Sequence, residues 1–260
     1  VTSNIFDLTG KVALITGGTR GIGFGMAQAL ARSGADVVAW GTGQERATQA
    51  ARELESHGGR ALAQCIDVAD EAAVDRGMLE AVEAMGRIDM VIANAAAPRG
   101  TAPFAEFPTE LYRRTLSVGL DGAFWTLRAA CRHMVERAKA GDPGGSVVGV
   151  SSLVALTGGA GNEAYGASKA AMLSILKSIA SEYARYGIRS NAIIPGWIDT
   201  ERTAALQAIP SVSEKVTPRI PMRRWGKPDD FGGIAVYLAS DLSSYHTGDT
   251  FVIDGGYSVF

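Results

Sequence analysis

The chain has 260 residues, of which 47% are hydrophobic and 20% charged, and its formal net charge is −2. That length suits a single doubly wound α/β domain with a substantial core, and the composition is that of a globular enzyme rather than a disordered chain. The slight negative balance argues against nucleic acid or an anionic membrane as the main partner; no apolar run reaches the length of a membrane span, and the start of the chain lacks a signal-peptide pattern.

The first predicted element is a short buried strand, Val12–Thr16, followed at once by a glycine-rich turn. Ile22, Met26, Ala29 and Leu30 then repeat at the spacing of a helix that buries one stripe. Strand, glycine turn and helix in that order form the context in which backbone N–H groups receive a pyrophosphate. Gly17 and Gly21 let the chain turn and approach the phosphates, and Gly23 lets helix and strand pack closely. The spacing is G-x-x-x-G-x-G rather than the more widespread G-x-G-x-x-G. Further strand-like runs fall at 36–40, 61–68, 90–95, 146–152, 189–194 and 250–254. Helical stripes lie between them, such as Val74, Met78, Val82 and Met85, or Met172, Leu176, Ile179 and Tyr183. This alternation predicts a parallel sheet covered on both faces, in one domain spanning 1–260. Cys65 falls in a predicted strand and Cys131 in a predicted helix, without metal-ligand spacing. Both are expected to be buried and reduced, in keeping with the cytoplasm.

Candidate chemistry clusters where these strands end. Asp67 and Val68 close the third run; the carboxylate either accepts a hydrogen bond from an adenine amino group or caps the helix starting near Asp70. Asn94 closes the fourth among small residues, where a flat ligand can lie against the backbone. Ser152 closes the fifth, Tyr165 follows thirteen positions later and Lys169 four beyond that, on the same helix face as the tyrosine. A free phenol titrates near pH ~10, so acid/base work at neutral pH calls for a neighbouring cation, which Lys169 supplies. Ser152 then hydrogen-bonds a substrate carbonyl or alkoxide. The stretch 197–227 has no clear periodicity, holds Pro210, Pro218 and Pro221, and follows the sixth strand. It is read as a substrate lid at the carboxyl edge of the sheet, with a decorative insertion as the alternative.

These motifs, in this order, resemble the short-chain dehydrogenase/reductase family from about Asp7 to Gly256. The likeness rests on 16–23, Asp67-Val68, Asn94, Ser152, Tyr165 with Lys169, and Pro195-Gly196 followed by Ile198 and Thr200. It implies a seven-stranded Rossmann-type sheet ordered 3-2-1-4-5-6-7, a nicotinamide cofactor, and a homotetramer or homodimer. By the same likeness Tyr165 is the acid/base, Ser152 orients the substrate, and Lys169 holds the nicotinamide ribose and eases the tyrosine's ionisation. Gly17, Thr19, Arg20, Gly21, Ile22, Gly23, Thr42, Asp67, Val68 and Asn94 line the cofactor. Backbone at Gly196 and Ile198, with Thr200, fixes the carboxamide.

Two departures stand out. Ala93 and Ala96 replace an asparagine and a glycine that flank Asn94 in the family. Gly119 stands where the family places an asparagine that helps hold a water in a proton relay from the lysine. The intact Ser152, Tyr165 and Lys169 favour a working enzyme; Gly119 motivates the alternative of a cofactor-binding sensor or scaffold with weak catalysis. Gly41, at the end of the second strand, carries no acid to bind a free ribose hydroxyl or repel a 2′-phosphate. Arg20, which NAD-dependent relatives also carry, and Thr42 could both meet such a phosphate. NADP(H) is therefore the preferred cofactor, with NAD(H) possible. The expected reaction is hydride transfer between nicotinamide and a small-molecule ketone or secondary alcohol. The motifs resemble both β-ketoacyl-carrier-protein reductases and gluconate 5-dehydrogenases, the latter through Arg224–Pro228 and Gly248–Thr250. The C-terminal tail, with Tyr257, Val259 and Phe260, packs either on a neighbouring subunit or on its own core.

Overall fold

The computed structural model describes residues 4–98 and 100–260. Seven strands, β1 (Val12–Thr16), β2 (Asp36–Gly41), β3 (Ala61–Cys65), β4 (Met90–Ala93), β5 (Gly145–Val150), β6 (Ile188–Pro195) and β7 (Thr250–Ile253), pair in the order β3-β2-β1-β4-β5-β6-β7. Every neighbouring pair is parallel, with Val12 opposite Asp36 and Thr16 opposite Trp40 at the centre. The helices between them are α1 (Gly21–Arg32), α2 (Gln44–Glu55), α3 (Glu71–Met85), α4 (Thr109–Leu116), α5 (Gly122–Lys139), α6 (Val154–Thr157), α7 (Glu163–Tyr183), α8 (Glu201–Gln207), α9 (Pro210–Val216) and α10 (Gly232–Ala239). This is the fold class and strand order that the sequence implied.

Two cores sandwich the sheet, as the strand period of two requires. Val12, Leu14, Val38 and Val91 face one, with Val74 and Met78 of α3, Leu127 and Met134 of α5, and Met172 and Leu176 of α7. Ala13, Ile15, Val37 and Ile92 face the other, with Met26 and Leu30 of α1 and Ala235 and Leu238 of α10. A third, small cluster of Val216, Ile220 and Trp225 lies under α9, with Trp197, Val212 and Tyr257 packed against it.

Several boundaries differ from the sequence expectation, each for a local reason. β3 ends at Cys65 because the Asp67 carboxylate takes the N–H of Ala69 and turns the chain. β4 ends at Ala93 because the Thr16 hydroxyl accepts the N–H groups of Asn94 and Ala95 in place of a sheet partner. β5 ends at Val150; Ser151 N–H still reaches Ile193 O, but Ser152 already opens the turn into α6 through its bond from Ala155 N–H. Cys65 is exposed rather than buried, since β3 is the edge strand, whereas Cys131 in α5 is buried. The stretch 197–227 is not aperiodic loop: it folds α8, α9 and a following 3₁₀ turn, Thr217–Arg219. In the tail, Tyr257 packs edge-on against Trp197, while Val259 and Phe260 lie exposed on the single chain. Among the described residues, no helix is long and apolar enough to cross a membrane and no His/Cys/Asp/Glu group is placed to hold a metal.

At the amino end of the sheet, Asp89 ties three elements. Its side chain accepts the N–H of Val12 at 2.9 Å and pairs with Arg87 and with Arg137 of α5. Arg137 also pairs with Asp142 at 2.8 Å and donates to Ile88 O, so loss of Asp89 removes one of its partners and orphans the N–H of Val12. Asp89→Ala is expected to cost about 1.5–3 kcal/mol of stability, read by urea unfolding. Dinucleotide affinity of the folded fraction should be unchanged, because the pair lies at the opposite end of the sheet.

Candidate active site

The carboxyl ends of β1, β4, β5 and β6 meet on one edge, and the residues singled out from the sequence gather there. In the glycine turn, Gly17 and Gly21 adopt left-handed φ values of +62° and +54°. A Cβ on Gly23 would lie 2.3 Å from Gly17 O, so only glycine lets α1 start this close to the loop. Asn94 locks the turn from the neighbouring strand: its Nδ2 donates to Thr16 O at 3.0 Å and Gly17 O at 3.3 Å. Arg20 precedes α1 in extended conformation without capping it, and no acidic residue stands in the first turn. The first N–H groups of α1 and the positive end of its dipole are thus left for an anion. A cradle that a methyl group would fill, opening onto an uncapped helix start, fits a dinucleotide pyrophosphate.

The far end of such a cofactor falls beside β2. Gly41 is hemmed in by Thr19, whose Oγ1 would lie 2.5 Å from an added Cβ. An acidic side chain at Gly41 therefore has no room while Thr19 keeps its place. Thr42 is exposed just beyond. Two guanidiniums converge nearby on the carboxylate of Glu201: Arg46 Nη1 reaches both its oxygens at 2.6 Å, and Arg20 Nη1 approaches to 3.7 Å. These pairings hold the Glu201 carboxyl below the usual range, the Arg46 hydrogen bond contributing most. Sequence reasoning passed over Arg46 and Glu201. A signal was present for Arg46, a cation in the first turn of α2 where the helix dipole disfavours it. Asp67 is placed less simply. One oxygen takes the N–H of Ala69 and the other faces Arg114 at 3.4 Å, while Asp70, not Asp67, caps α3. Val68 is buried against the backbone side of Gly122.

Lys169 is the most constrained group of the site. It is 1% exposed, its Nζ donates to Val150 O at 2.7 Å, and the Ser151 hydroxyl donates to Lys169 O at 2.8 Å. Strand β5 and helix α7 are thereby stitched in both directions, with Ser152 the next residue along. Nζ lies 5.7 Å from the centroid of the Tyr165 ring, one turn back on α7. Burial, and secondarily the positive charge of Arg202, lowers the Lys169 pKa to about 7. Arg202, in the first turn of α8, sits over the same phenol ring with Cζ 5.1 Å from its centroid; it too escaped the sequence reading. Gly119 lies in a wide, π-type turn, Ser117–Asp121, between α4 and α5. A Cβ there would approach Ser168 Oγ at 3.0 Å.

At the end of β6, Gly196 is pressed against Asp254, which a Cβ would meet at 2.6 Å; its N–H bonds to Ile253 O. Ile198 is buried and pairs with Gly226. Thr200 opens α8, its N–H bonded to Thr203 Oγ1, with its methyl 3.6 Å from where a Cβ on Gly21 would stand. The segment after β6 thus reaches back to the glycine turn.

Comparison with known proteins agrees with this geometry. The family described as "Enoyl-(Acyl carrier protein) reductase" matches residues 17–258. The chain belongs to the short-chain dehydrogenase/reductase family. It is an NAD(P)-dependent oxidoreductase of alcohols and ketones. The chain is 39% identical, over 96% of its length and 97% of the relative's, to the L-rhamnose 1-dehydrogenase (NAD(P)(+)) of Azotobacter vinelandii. It is 34% identical, over 98% of both chains, to the gluconate 5-dehydrogenase of Gluconobacter oxydans. A crystal structure of a gluconate 5-dehydrogenase from Burkholderia cenocepacia, in complex with NADP and tartrate, superposes with a TM-score of 0.92 at 33% identity, covering 99% of this chain and 98% of that one.

The buried lysine carries a measurable cost. Below about pH 7 it is charged in the folded and unfolded chain alike, and the folded state bears the full desolvation. Above that pH the folded chain gives up the proton while the unfolded chain keeps it to near 10.5, so this group's contribution to stability rises with pH between those values. Lys169→Met gives up the bond to Val150 O as well as the buried charge, and should abolish the rise of stability between about pH 7 and about pH 10. Urea unfolding across that range should show the difference between the two proteins changing with pH in favour of the unaltered chain; a difference independent of pH would refute the assignment.

Proposed function

We propose that this protein is an NADP(H)-preferring oxidoreductase that transfers hydride between nicotinamide and a ketone or secondary alcohol of a sugar or sugar acid, with Tyr165 as the acid/base. The observation that carries the reading is the buried Lys169 ammonium fixed beneath the Tyr165 ring by Val150 O. When bound, the nicotinamide supplies the hydride in reduction and receives it in oxidation. Gly17, Gly21, Gly23 and the start of α1 receive its pyrophosphate, Asn94 holds that turn in shape, and Gly196, Ile198 and Thr200 border its carboxamide. During reduction the Tyr165 hydroxyl gives its proton to the carbonyl oxygen, while Ser152 hydrogen-bonds the same oxygen and orients it. Lys169 balances the charge left on the phenol oxygen. Oxidation runs the same contacts in reverse. Support for a sugar-type substrate comes from what the relatives' names say they act on, neutral L-rhamnose in one and gluconate in another. The segment 197–227, with its own small core against Trp197, is the element we assign as the lid.

The sensor or scaffold reading draws on Gly119 alone. A Cβ at that position would press on Ser168, 3.0 Å from its hydroxyl, which donates to Tyr165 O within the same helix. The close approach of the turn to α7 leaves little room for a side chain there, so the glycine alone does not argue against the catalytic reading.

Replacing Tyr165 by Phe should lower kcat by about 10²–10⁴-fold and leave the Kd of NADPH within about twofold, read by NADPH absorbance and fluorescence titration. Turnover equal to that of the unaltered enzyme would sink the assignment. For cofactor choice, Arg46 and Arg20 are held by the Glu201 carboxylate, and a 2′-phosphate that displaces that carboxylate would find both guanidiniums in place. Arg46→Ala should weaken NADPH binding about 10–100-fold, the worth of a charged hydrogen bond, and NADH binding little. Equal losses for both cofactors would remove the preference for NADPH.

A further inference from the structure

We infer that Arg202 reads the charge of the substrate: its guanidinium, standing over the Tyr165 ring, receives the carboxylate of a hydroxy or keto acid, so that the site is built for an acid rather than a neutral sugar. The inference rests on the proposed reading of Tyr165 and Lys169 as the reacting edge, and names the substrate class that edge takes.

Two basic groups flank one phenol, Arg202 charged throughout and Lys169 charged below about pH 7. Arg202 Cζ is 5.1 Å from the Tyr165 centroid and Lys169 Nζ 5.7 Å from it. None of the neighbouring acids pairs with Arg202: Asp199, three residues earlier, is exposed and makes no ion pair among the described residues, and one buried oxygen of Glu163 has no partner. Glu201, adjacent on α8, turns toward the cofactor side and is held by Arg46 and Arg20. Glu163 takes the N–H of Gly161, Asp254 takes those of Gly256 and Ser258, and Asp230 pairs with Arg224. Among the described residues, Arg202 makes no ion pair and no side-chain hydrogen bond, so its fork of donors remains open. Its charge is felt by Lys169, whose pKa it pushes down in addition to the effect of burial. An arrangement that sets a second positive charge against an already desolvated ammonium is unfavourable until an anion joins it. A carboxylate on Arg202 relieves that repulsion at the moment substrate arrives.

The chemistry matches the position. A guanidinium takes a carboxylate through two parallel N–H···O bonds, which fixes orientation as well as charge. A cation–π contact with the phenol ring, Cζ 5.1 Å from its centroid, keeps the guanidinium beside the acid/base. A chain of carbons bound by its carboxylate at Arg202 is therefore presented to the Tyr165 hydroxyl at a carbonyl or alcohol a few carbons along. A neutral sugar takes only uncharged hydrogen bonds from the same arginine and leaves the repulsion in place.

The test is calorimetric titration of the protein saturated with NADP⁺, using D-gluconate, L-tartrate and the uncharged polyol D-glucitol, with Arg202→Ala and Arg202→Lys alongside the unaltered chain. At least one of the two carboxylates should bind ten-fold or more tighter than glucitol. Arg202→Ala should erase that difference, Arg202→Lys should restore part of it, and the Kd of NADP⁺ should stay within twofold in all three proteins. Binding of acids no tighter than glucitol, including no binding at all, overturns the inference. So does a loss in Arg202→Ala that is the same for acid and polyol, or one that tracks weaker NADP⁺ binding, which would place the arginine with the cofactor. Arg202-dependent binding of acids, found together with full turnover by Tyr165→Phe, would instead refute the acid/base reading while sparing the arginine.

Discussion

The bond from Lys169 Nζ to Val150 O is the constraint on which the site depends. A lysine that is fully enclosed must find a partner, and here it finds a backbone carbonyl at the end of a central strand. Because the Ser151 hydroxyl answers with a bond to Lys169 O, helix α7 cannot slide or rotate against β5 without breaking both. Register follows from that. Tyr165 lies one turn before the lysine and Ser152 one residue after the serine, so the two groups that would meet a substrate oxygen are set by the same pair of bonds. The helix repays the buried charge along the same face, where Met172 and Leu176 are enclosed in the core. Each such side chain contributes about 1.5–3 kcal/mol, the same order as the desolvation of the ammonium.

Charge is distributed against the chain's overall balance. The whole carries −2, yet Arg20, Arg46, Lys169 and Arg202 line the carboxyl edge of the sheet. Glu201 is the acid drawn among them, bound by Arg46 and Arg20. A concentration of one sign in a cleft draws anions to it whatever the net charge of the molecule. The dinucleotide phosphates meet one end of this edge. The other end, beside Tyr165, has Lys169 and Arg202, neither of which makes an ion pair among the described residues, which is why the charge of the substrate becomes the question the site poses.

What the sequence revealed was what its spacing encodes locally. Gly17, Gly21 and Gly23 signal a left-handed turn and a close helix start within a few residues, and Tyr165 with Lys169 signals one helix face. The strand order followed from resemblance to a family in which the same motifs recur. Strand ends were harder, because side chains rather than ladder partners close them: Thr16 Oγ1 caps β4 from 78 residues away, and the Asp67 carboxylate turns the chain after β3. Segment 197–227 read as loop because α8 and α9 are seven residues each, too short for a stripe to repeat. Arg46 and Arg202 were missed because their meaning lies in what they meet, a carboxylate 155 residues distant in one case and a tyrosine on another helix in the other.

Gly119 shows how a missing side chain in the sequence can be a contact in the structure. Read linearly it is an absent asparagine, and absence suggests lost function. In space the wide turn at Ser117–Asp121 brings its Cα against Ser168, where even a Cβ would press the serine hydroxyl at 3.0 Å. Ser168 immediately precedes Lys169 on α7, and its hydroxyl donates to Tyr165 O. A larger residue at 119 would have to displace the serine by a few tenths of an ångström, and with it the turn that holds the tyrosine. The glycine is therefore coupled to the same helix that Lys169 and Ser151 hold from the other side, and a side chain there cannot be judged apart from the residue at 168.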